Sequence, residues 1–445
     1  MNYLRKIFFI SLGCDKNLVD SEVMIGILER NGFEITYDEH CADAAIINTC
    51  GFIADAVKES IENIAETGLL KENGKLKALI VTGCLVSRYK EEILKEMPEV
   101  DAVVGAGDYD KIADVLSEII NGKKRIAQIT QNSNIITGAV AENRTLTGAG
   151  YFAYLKIAEG CGNRCSYCTI WQIRGSYRSR DMKSLISEAE ILAGKGVREL
   201  ILVAQDTALY GTDLYGESRL HELIRRLSEI DGIKWIRVLY AYPEHITDNL
   251  IEEMAQNSKV CHYIDIPIQH ADNNILSAMG RSSTAKNLEL LITKLRQSMP
   301  DIALRTTLIA GFPGEGEEEF LNLKSFVERI RFDSLGVFEY SKEDGTKAAK
   351  MKNQVRKADK KKRRDLLMKT QKEISRGKLS QMVGQTLEVI TDGKIEGSYC
   401  GRSYAQCYGI DGMIFFDADY EIISGEFVNV KITGCGDYDL YGELV

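Results

Sequence analysis

The chain has 445 residues, of which 44% are hydrophobic and 27% are charged, with a formal net charge of −9 at pH 7. This composition is typical of globular proteins and excludes a disordered or collagen-like chain. No apolar run approaches the roughly 18 residues that a membrane-spanning helix needs. The eleven cysteines are odd in number and partly grouped, which favours reduced, metal-binding thiols over a disulfide framework. We expect a cytoplasmic protein of about three domains that has no membrane partner.

Residues 1–122 alternate between strand-like and helix-like patterns. The strand-like runs are 7–12, 44–47, 78–81 and 102–104. Amphipathic helical patterns cover 18–28 and 54–64. The first apolar run is short and passes directly into a helical pattern, so we interpret it as a buried strand and not as a signal peptide. The alternation predicts an open parallel α/β sheet with helices on its faces.

Three cysteines follow three of these strands, each at the point where its strand ends. Cys14, Cys50 and Cys84 are far apart in sequence. Ligands bind at the carboxyl ends of the strands in open α/β sheets, so the three thiols are expected to converge there. A single free cysteine is more often a small buried hydrophobe, and we apply that interpretation to Cys41. Three equivalent positions favour a metal-cluster site.

A linker is predicted at 123–150, and strand–helix alternation resumes over 151–349. Six strand-like runs occupy 152–158, 199–204, 235–240, 263–268, 303–309 and 335–340. Six such units predict an incomplete (β/α)6 version of the eight-unit barrel. Barrel active sites lie at the C-terminal ends of the strands.

A cysteine-rich loop follows the first of these strands. Cys161, Cys165 and Cys168 lie within eight residues, and Gly160 and Gly162 are expected to let the backbone wrap closely. A complete iron–sulfur site takes four cysteines, so three would leave one iron open to a substrate. A zinc site or a ferredoxin-type run would need ligands that are absent nearby. The spacing resembles that of the radical S-adenosylmethionine (SAM) enzymes, whose open iron binds SAM.

Polar residues and a glycine turn at the other predicted strand ends form a candidate shell around SAM and substrate. From this shell we assign Gln205, Arg305, placed late in the fifth strand, and Gly311 to SAM binding. Its other members are Asp206, Tyr242, Glu244, Gln269 and His270. Each residue taken singly is better explained as a satisfied structural polar group than as a ligand.

Residues 350–380 are predicted to form a basic helical linker, with 13 Lys or Arg against 3 acidic residues over 350–378. Such a run is a solvated helix face or a contact for nucleic-acid phosphates, and charge alone leaves both open. Residues 381–445 predict a small antiparallel β-barrel resembling the OB type. This barrel has 11 acidic and 3 basic residues, a charge that favours a basic protein partner.

Together these features resemble the radical-SAM methylthiotransferases over nearly the whole chain, including a C-terminal TRAM domain. The segments 11–22 (SLGCDKNLVDSE), 157–161 (IAEGC) and 202–207 (LVAQDT), with Gly434 and 437–440 (DYDL), resemble the branch that modifies an aspartate of small-subunit ribosomal protein twelve. The branch that modifies tRNA adenosine usually has Gln-Met-Asn after its first cysteine. Two local departures are Thr169, where a proline is common, and the segment 406–409.

The resemblance implies two 4Fe-4S clusters, one held by Cys161, Cys165 and Cys168 and an auxiliary one held by the three N-terminal cysteines. It implies SAM as both radical source and methyl donor, and 3-methylthioaspartate as product. Further implied partners are a sulfur donor and a low-potential reductant such as flavodoxin or ferredoxin. The alternatives are a tRNA adenosine methylthiotransferase and a non-catalytic iron–sulfur electron carrier.

Overall fold

The computed structural model describes residues 5–74, 76–130 and 144–445. In these ranges the chain forms a parallel sheet, a second parallel sheet that curves into an incomplete barrel, and a small closed barrel. No helix in the described ranges is long and apolar enough to cross a membrane.

The N-terminal sheet is parallel throughout, with the order β2-β1-β3-β4-β5-β6. Its strands are β1 (Lys6–Ser11), β2 (Glu34–Thr36), β3 (Ala44–Thr49), β4 (Ala78–Gly83), β5 (Ala102–Gly105) and β6 (Ile126–Gln128). The helices of this region are α1 (Asp15–Arg30), α2 (Ala54–Glu72), α3 (Cys84–Tyr89), α4 (Glu92–Glu96) and α5 (Ile112–Ile120). Ile46 and Ile80 belong to the core on one face, and Ile47 and Val81 to the core on the other. Burial on both faces explains why the central strands are continuous apolar runs.

The second sheet is also parallel, with the order β14-β13-β12-β11-β10-β7. Its strands are β7 (Phe152–Lys156), β10 (Glu199–Val203), β11 (Trp235–Val238), β12 (Val260–Asp265), β13 (Ala303–Ala310) and β14 (Ser334–Glu339). The short strands β8 (Ala158–Glu159) and β9 (Arg178–Ser179) pair beside it. β7 and β14 do not pair with each other in the described chain, so the barrel is open as predicted.

Helices connect the strands of this sheet, and the longer ones bury one continuous apolar core against it. They are α6 (Ile170–Ile173), α7 (Met182–Gly194), α8 (Thr212–Tyr215), α9 (Leu220–Ser228), α10 (Asp248–Gln256), α11 (Asn273–Met279), α12 (Ala285–Ser298) and α13 (Glu317–Ile330). The basic helix α14 (Lys357–Leu379) buries Leu367 and Ile374 in the same core.

The C-terminal barrel is closed, with the order β15-β16-β17-β19-β18. Its strands are β15 (Thr386–Ile395), β16 (Ser398–Arg402), β17 (Ile414–Asp417), β18 (Phe427–Cys435) and β19 (Leu440–Leu444). The pairing of β17 with β19 is parallel, which departs from the predicted antiparallel barrel, while the other pairs are antiparallel.

This small barrel closes the parallel barrel at the N-terminal ends of its strands. Phe427 packs edge-on against Trp235 with ring centroids 4.8 Å apart, and Arg402 donates to Glu199 at 2.8 Å. Tyr263 donates to Asp411 at 2.7 Å. The opposite, C-terminal ends of the strands face the N-terminal domain.

Several elements differ from the sequence-based expectation. β2, β6 and β9 were not anticipated, and β6 lies inside the segment that we assigned to a linker. The rest of that linker includes residues 131–143, which lie outside the described residues. Arg305 is the third residue of β13, so its predicted place late in the strand is wrong. Strand β12 begins at Val260 and ends at Asp265, earlier than the predicted run 263–268.

Candidate functional site

The three N-terminal cysteines lie at neighbouring strand ends. Cys14 is the residue before α1, Cys50 follows β3, and Cys84 is the first residue of α3 after β4. Gly13 has φ +93, and a Cβ there would lie 2.9 Å from Cys50 Cβ, so this position requires glycine. The sheet therefore brings the first two cysteines together as the parallel topology predicts.

The thiols of this group act on one another electrostatically. Burial raises the pKa of Cys84 to about 11 against the opposing charge of Arg174, and Cys14 and Cys50 add to the rise. Burial also raises the pKa of Cys50, with a further contribution from Cys14. A bound cation would favour the thiolates, so metal binding at this group should release protons.

The second cysteine group lies on the loop after β8. Gly160 has φ +75, and a Cβ there would lie 2.1 Å from the Ser176 carbonyl oxygen, so the loop requires glycine. Gly162, by contrast, has no described protein atom within 4 Å of an added Cβ, so protein packing does not explain this glycine. Backbone hydrogen bonds anchor the loop, from Cys161 to Gly175 at 3.1 Å and from Ser166 to Met279 at 2.9 Å.

The thiols of this loop are also mutually coupled. Burial raises the pKa of Cys161 to about 11 and that of Cys168 to about 12, and Cys165 contributes to both shifts. The Tyr242 hydroxyl lies 3.3 Å from Cys165 Sγ, and the Arg281 guanidinium lies 3.5 Å from the centroid of the Tyr242 ring. Tyr242, predicted as a shell residue, is therefore in contact with the cysteine loop.

Arg174 joins the two cysteine groups. This buried arginine follows α6 and donates from Nε to Cys84 Sγ at 3.3 Å, the thiol of the N-terminal group. Its other nitrogens contact Asp20 at 2.7 Å and Asn17 at 2.9 Å on α1, and Glu159 at 3.0 Å beside the cysteine loop. Sequence analysis missed Arg174, since no pattern distinguishes it from the other arginines.

Gln205 extends this network toward the barrel interior. Its Nε2 donates to Glu159 Oε1 at 3.1 Å, and Lys156 donates to Glu159 Oε2 at 2.9 Å. The Gln205 Oε1 atom is buried and has no hydrogen-bond partner among the described residues. A buried polar atom without a partner is uncommon, and a polar ligand would satisfy it. This fits the predicted role of Gln205.

Asp206, beside it, has a structural role. It accepts hydrogen bonds from Asn163 Nδ2 at 3.0 Å, on the cysteine loop, and lies 2.7 Å from His245 Nδ1.

The other two predicted SAM residues have protein partners. Arg305 donates to Asp265 at 2.8 Å inside the barrel. Gly311 has φ +75, and a Cβ there would lie 2.4 Å from Lys360 Cγ. The approach of α14 therefore explains this glycine without a ligand, and an SAM contact by either residue stays a prediction.

The remaining shell residues lie around the same end of the barrel. Glu244 accepts from the Ser283 backbone at 3.0 Å, and His270 lies 3.3 Å from Glu315. Gln269 is half-buried at φ +68, an unusual conformation for a residue with a side chain. Glu244 and His270 are therefore satisfied structural groups.

None of the eleven cysteines, all of which the structure describes, forms a disulfide. Within the described ranges, no group of three or more His, Cys, Asp or Glu side chains is arranged to hold a single metal ion. The case for two metal clusters rests on the two groups of three cysteines, in each of which the thiols raise one another's pKa values. It also rests on Gly13 and Gly160, where the backbone next to each group requires glycine.

Family models match three parts of the chain. The uncharacterized protein family UPF0004 matches residues 6–105, the radical SAM superfamily matches 155–327, and the TRAM domain matches 383–445. The cysteine groups at 14, 50 and 84 and at 161, 165 and 168 fall inside the first and second matches.

Solved structures share the fold at low identity. The radical SAM methyltransferase TsrM from Kitasatospora setae matches with a TM-score of 0.58 and 14% identity, covering 89% of this chain and 81% of that chain. The cobalamin-dependent radical enzyme OxsB matches with a TM-score of 0.52 and 13% identity, covering 78% of this chain and 54% of that chain.

Curated relatives match over nearly the full length. The ribosomal protein uS12 methylthiotransferase RimO of Lachnoclostridium phytofermentans is 52% identical, covering 98% of this chain and 99% of the relative. That of Acetivibrio thermocellus is 50% identical, covering 99% of this chain and 98% of the relative. The chain therefore belongs to the family of ribosomal protein uS12 methylthiotransferases.

Proposed function

We propose that this protein is a radical-SAM methylthiotransferase that converts an aspartate of ribosomal protein uS12 into 3-methylthioaspartate. The carrying observation is that buried Arg174 contacts Cys84 of the N-terminal group and also Glu159, which lies two residues before Cys161 of the second group. A methylthio transfer needs a radical source and a sulfur source close together, and this arrangement supplies a place for each. Both relatives are named for uS12, which favours the protein substrate over tRNA and an enzyme over an electron carrier.

We assign Cys161, Cys165 and Cys168 to the SAM-binding cluster. Cys14, Cys50 and Cys84 are assigned to the auxiliary cluster. When bound, the SAM-binding cluster and SAM would supply a radical that removes hydrogen from the aspartate β-carbon, SAM would supply the methyl, and the auxiliary cluster would hold the sulfur.

The chain's own residues position and shield this chemistry. Arg174 places a fixed positive charge beside Cys84 and Glu159, and Gln205 offers a buried acceptor to SAM. The proposed SAM roles of Arg305 and Gly311 have less support, since Arg305 pairs with Asp265 and lies 3.8 Å from Asp411 of the C-terminal barrel, and the approach of Lys360 explains Gly311. The C-terminal barrel excludes water from the opposite end of the parallel barrel.

The acidic C-terminal barrel also suits a basic ribosomal protein. We propose a cytoplasmic location because ribosomal proteins function there. The reductant is proposed to be a flavodoxin or ferredoxin, and a separate donor is proposed to supply the sulfur.

The test uses anaerobically reconstituted, reduced protein with SAM and a peptide carrying the target loop of uS12. Mass spectrometry should detect deoxyadenosine and a peptide heavier by about 46 Da, as expected for a methylthio group. Cys165→Ala should abolish both products, whereas Cys50→Ala should retain deoxyadenosine and lose the modified peptide. An unmodified uS12 peptide with modified tRNA would overturn the proposed substrate, and the absence of deoxyadenosine would overturn the reaction.

A further inference from the structure

Lysines cluster in the loop that follows β14. Lys342, Lys347, Lys350 and Lys352 are all exposed. None of the four forms an ion pair with the described residues of the chain. The loop itself is well anchored, because Glu343 is buried and pairs with Arg88 of the N-terminal domain at 2.9 Å. Four solvated positive charges therefore stand on a fixed segment.

The same surface continues along the first half of α14. Lys357, Lys361, Lys362 and Lys369 are exposed there and likewise form no ion pair within the described ranges. From the first to the last of these lysines the helix advances about 18 Å. The four loop lysines and these four helix lysines are called the lysine surface below.

Neighbouring cations on α14 behave differently. Arg363 pairs with Glu315 at 2.9 Å, and Lys378 pairs with Asp333 at 2.6 Å. These side chains face the barrel and have a structural role. The lysines of the lysine surface have no such ion pairs within the described ranges. They stand out because the whole chain carries a net charge of −9. A concentration of unpaired positive charge on an acidic protein favours an anionic partner.

The lysine surface lies next to the proposed reaction site. Ala348, between two of its lysines, donates from its backbone to the Ser166 carbonyl at 2.8 Å, and Ser166 follows Cys165 in the cysteine loop. Gln172, just after that loop, donates to the Gly345 carbonyl at 3.1 Å. A partner bound to these lysines would therefore lie beside the cysteine loop.

We propose that the lysine surface binds the phosphate backbone of ribosomal RNA, so that the enzyme recognises uS12 within the assembled small subunit. This inference rests on the proposed function, because it concerns the form in which that substrate is met. Flexible lysines bind phosphates as point charges without sequence readout, as docking on folded RNA requires. A membrane surface is disfavoured, since the apolar face of α14, with Leu367 and Ile374, is buried in the protein.

The test compares two triple variants of the full protein that each remove three positive charges. Lys361→Gln/Lys362→Gln/Lys369→Gln changes the lysine surface. Lys124→Gln/Lys183→Gln/Lys286→Gln changes three lysines that are also exposed and unpaired in the described chain, but lie elsewhere. The affinities for purified small ribosomal subunits and for free uS12 are measured from about 50 to about 200 mM salt, a range over which phosphate contacts weaken strongly.

The first variant should bind subunits at least about tenfold more weakly, and its log–log salt slope should be smaller by about 2 to 3, as expected for three lost phosphate contacts. Its affinity for free uS12 should match that of the wild type, and the control variant should match the wild type on both. Equal subunit binding by the two variants would overturn the proposal, as would an equal loss of affinity for free uS12. Binding needs no turnover, so failure of the proposed function would appear separately, in the peptide assay.

Discussion

Replacing Arg174 by glutamine should lower both the stability of the protein and the reduction potential of the auxiliary cluster. The wild-type guanidinium is buried and contacts two carboxylates, an asparagine and the Cys84 thiol at 2.7 to 3.3 Å. Glutamine leaves Asp20 and Glu159 sharing Lys156 as their only close cation in this network. Breaking a buried ion pair in this way costs about 3–5 kcal/mol, so the urea midpoint of the apoprotein should fall accordingly.

A matched control separates the thiol contact from domain docking. Arg144 is also buried and also joins the domains, through Glu22 at 2.6 Å and Glu188 at 2.8 Å, but no thiol contact is described for it. Arg144→Gln should therefore destabilise the protein by a similar amount. Only Arg174→Gln should lower the reduction potential of the auxiliary cluster, because it removes a hydrogen bond to a ligand sulfur.

The potential is measured by redox titration with electron paramagnetic resonance, in a background where Cys161, Cys165 and Cys168 are alanine. Arg174→Lys, which retains the charge without the planar fork, should give an intermediate value. Equal potentials in the Arg144 and Arg174 variants would refute the reasoning, since the effect would then come from loosened domains.

Three further predictions concern the loop, the barrel contact and pH. Gly160→Ala should cost more than about 2 kcal/mol of stability and reduce the iron content, because its φ is positive and the added Cβ would clash with the Ser176 carbonyl oxygen. Gly162→Ala should leave the stability of the apoprotein unchanged. Equal urea midpoints for the two variants would contradict this prediction. Glu199→Gln, which leaves two buried arginines poorly paired, should cost about 3–5 kcal/mol and ease proteolytic release of the C-terminal barrel. Glu388→Gln is the control, because Glu388 forms an exposed ion pair with Lys234 between the same domains, and it should cost at most about 1 kcal/mol. If proteolysis released the C-terminal barrel at the same rate in both variants, the buried contact would not be what holds it. Burial raises the pKa of Asp43, but hydrogen bonds from a lysine and two backbone groups together outweigh it and lower that pKa to about 2. The stabilisation by ionised Asp43 is complete above pH 4 and is lost as the pH falls toward 2. Asp43→Asn should therefore cost about 1 kcal/mol at neutral pH, a value discounted for partial exposure, and nothing near pH 2. The measurement is the free energy of unfolding of both proteins as a function of pH.

The convergence of Cys14, Cys50 and Cys84 could be predicted because it depends only on parallel topology. Strands that alternate with helices must run parallel, and their carboxyl ends must meet at one edge. The incomplete parallel barrel could be predicted for the same reason, since the alternation of strands and helices over 151–349 is a local pattern in the sequence.

Contacts between distant segments could not be predicted. Arg174 contacts Asn17 across 157 positions, and nothing in the local pattern at either residue indicates the other. From the sequence, a ligand-binding turn explained Gly311 well. The structure supplies a different reason for this glycine, which is the close packing of Lys360. Arg305 was placed late in its strand because strand ends are poorly defined by apolar runs.

The contact between the two barrels also constrains how such proteins can be recombined. Arg402 lies 203 positions after its partner Glu199, and both are buried by the contact. A chimera whose C-terminal barrel has no arginine at this position would leave the buried Glu199 without one of its two arginine partners. An exchange of the C-terminal barrel of this protein should therefore keep Arg402 and Glu199 together.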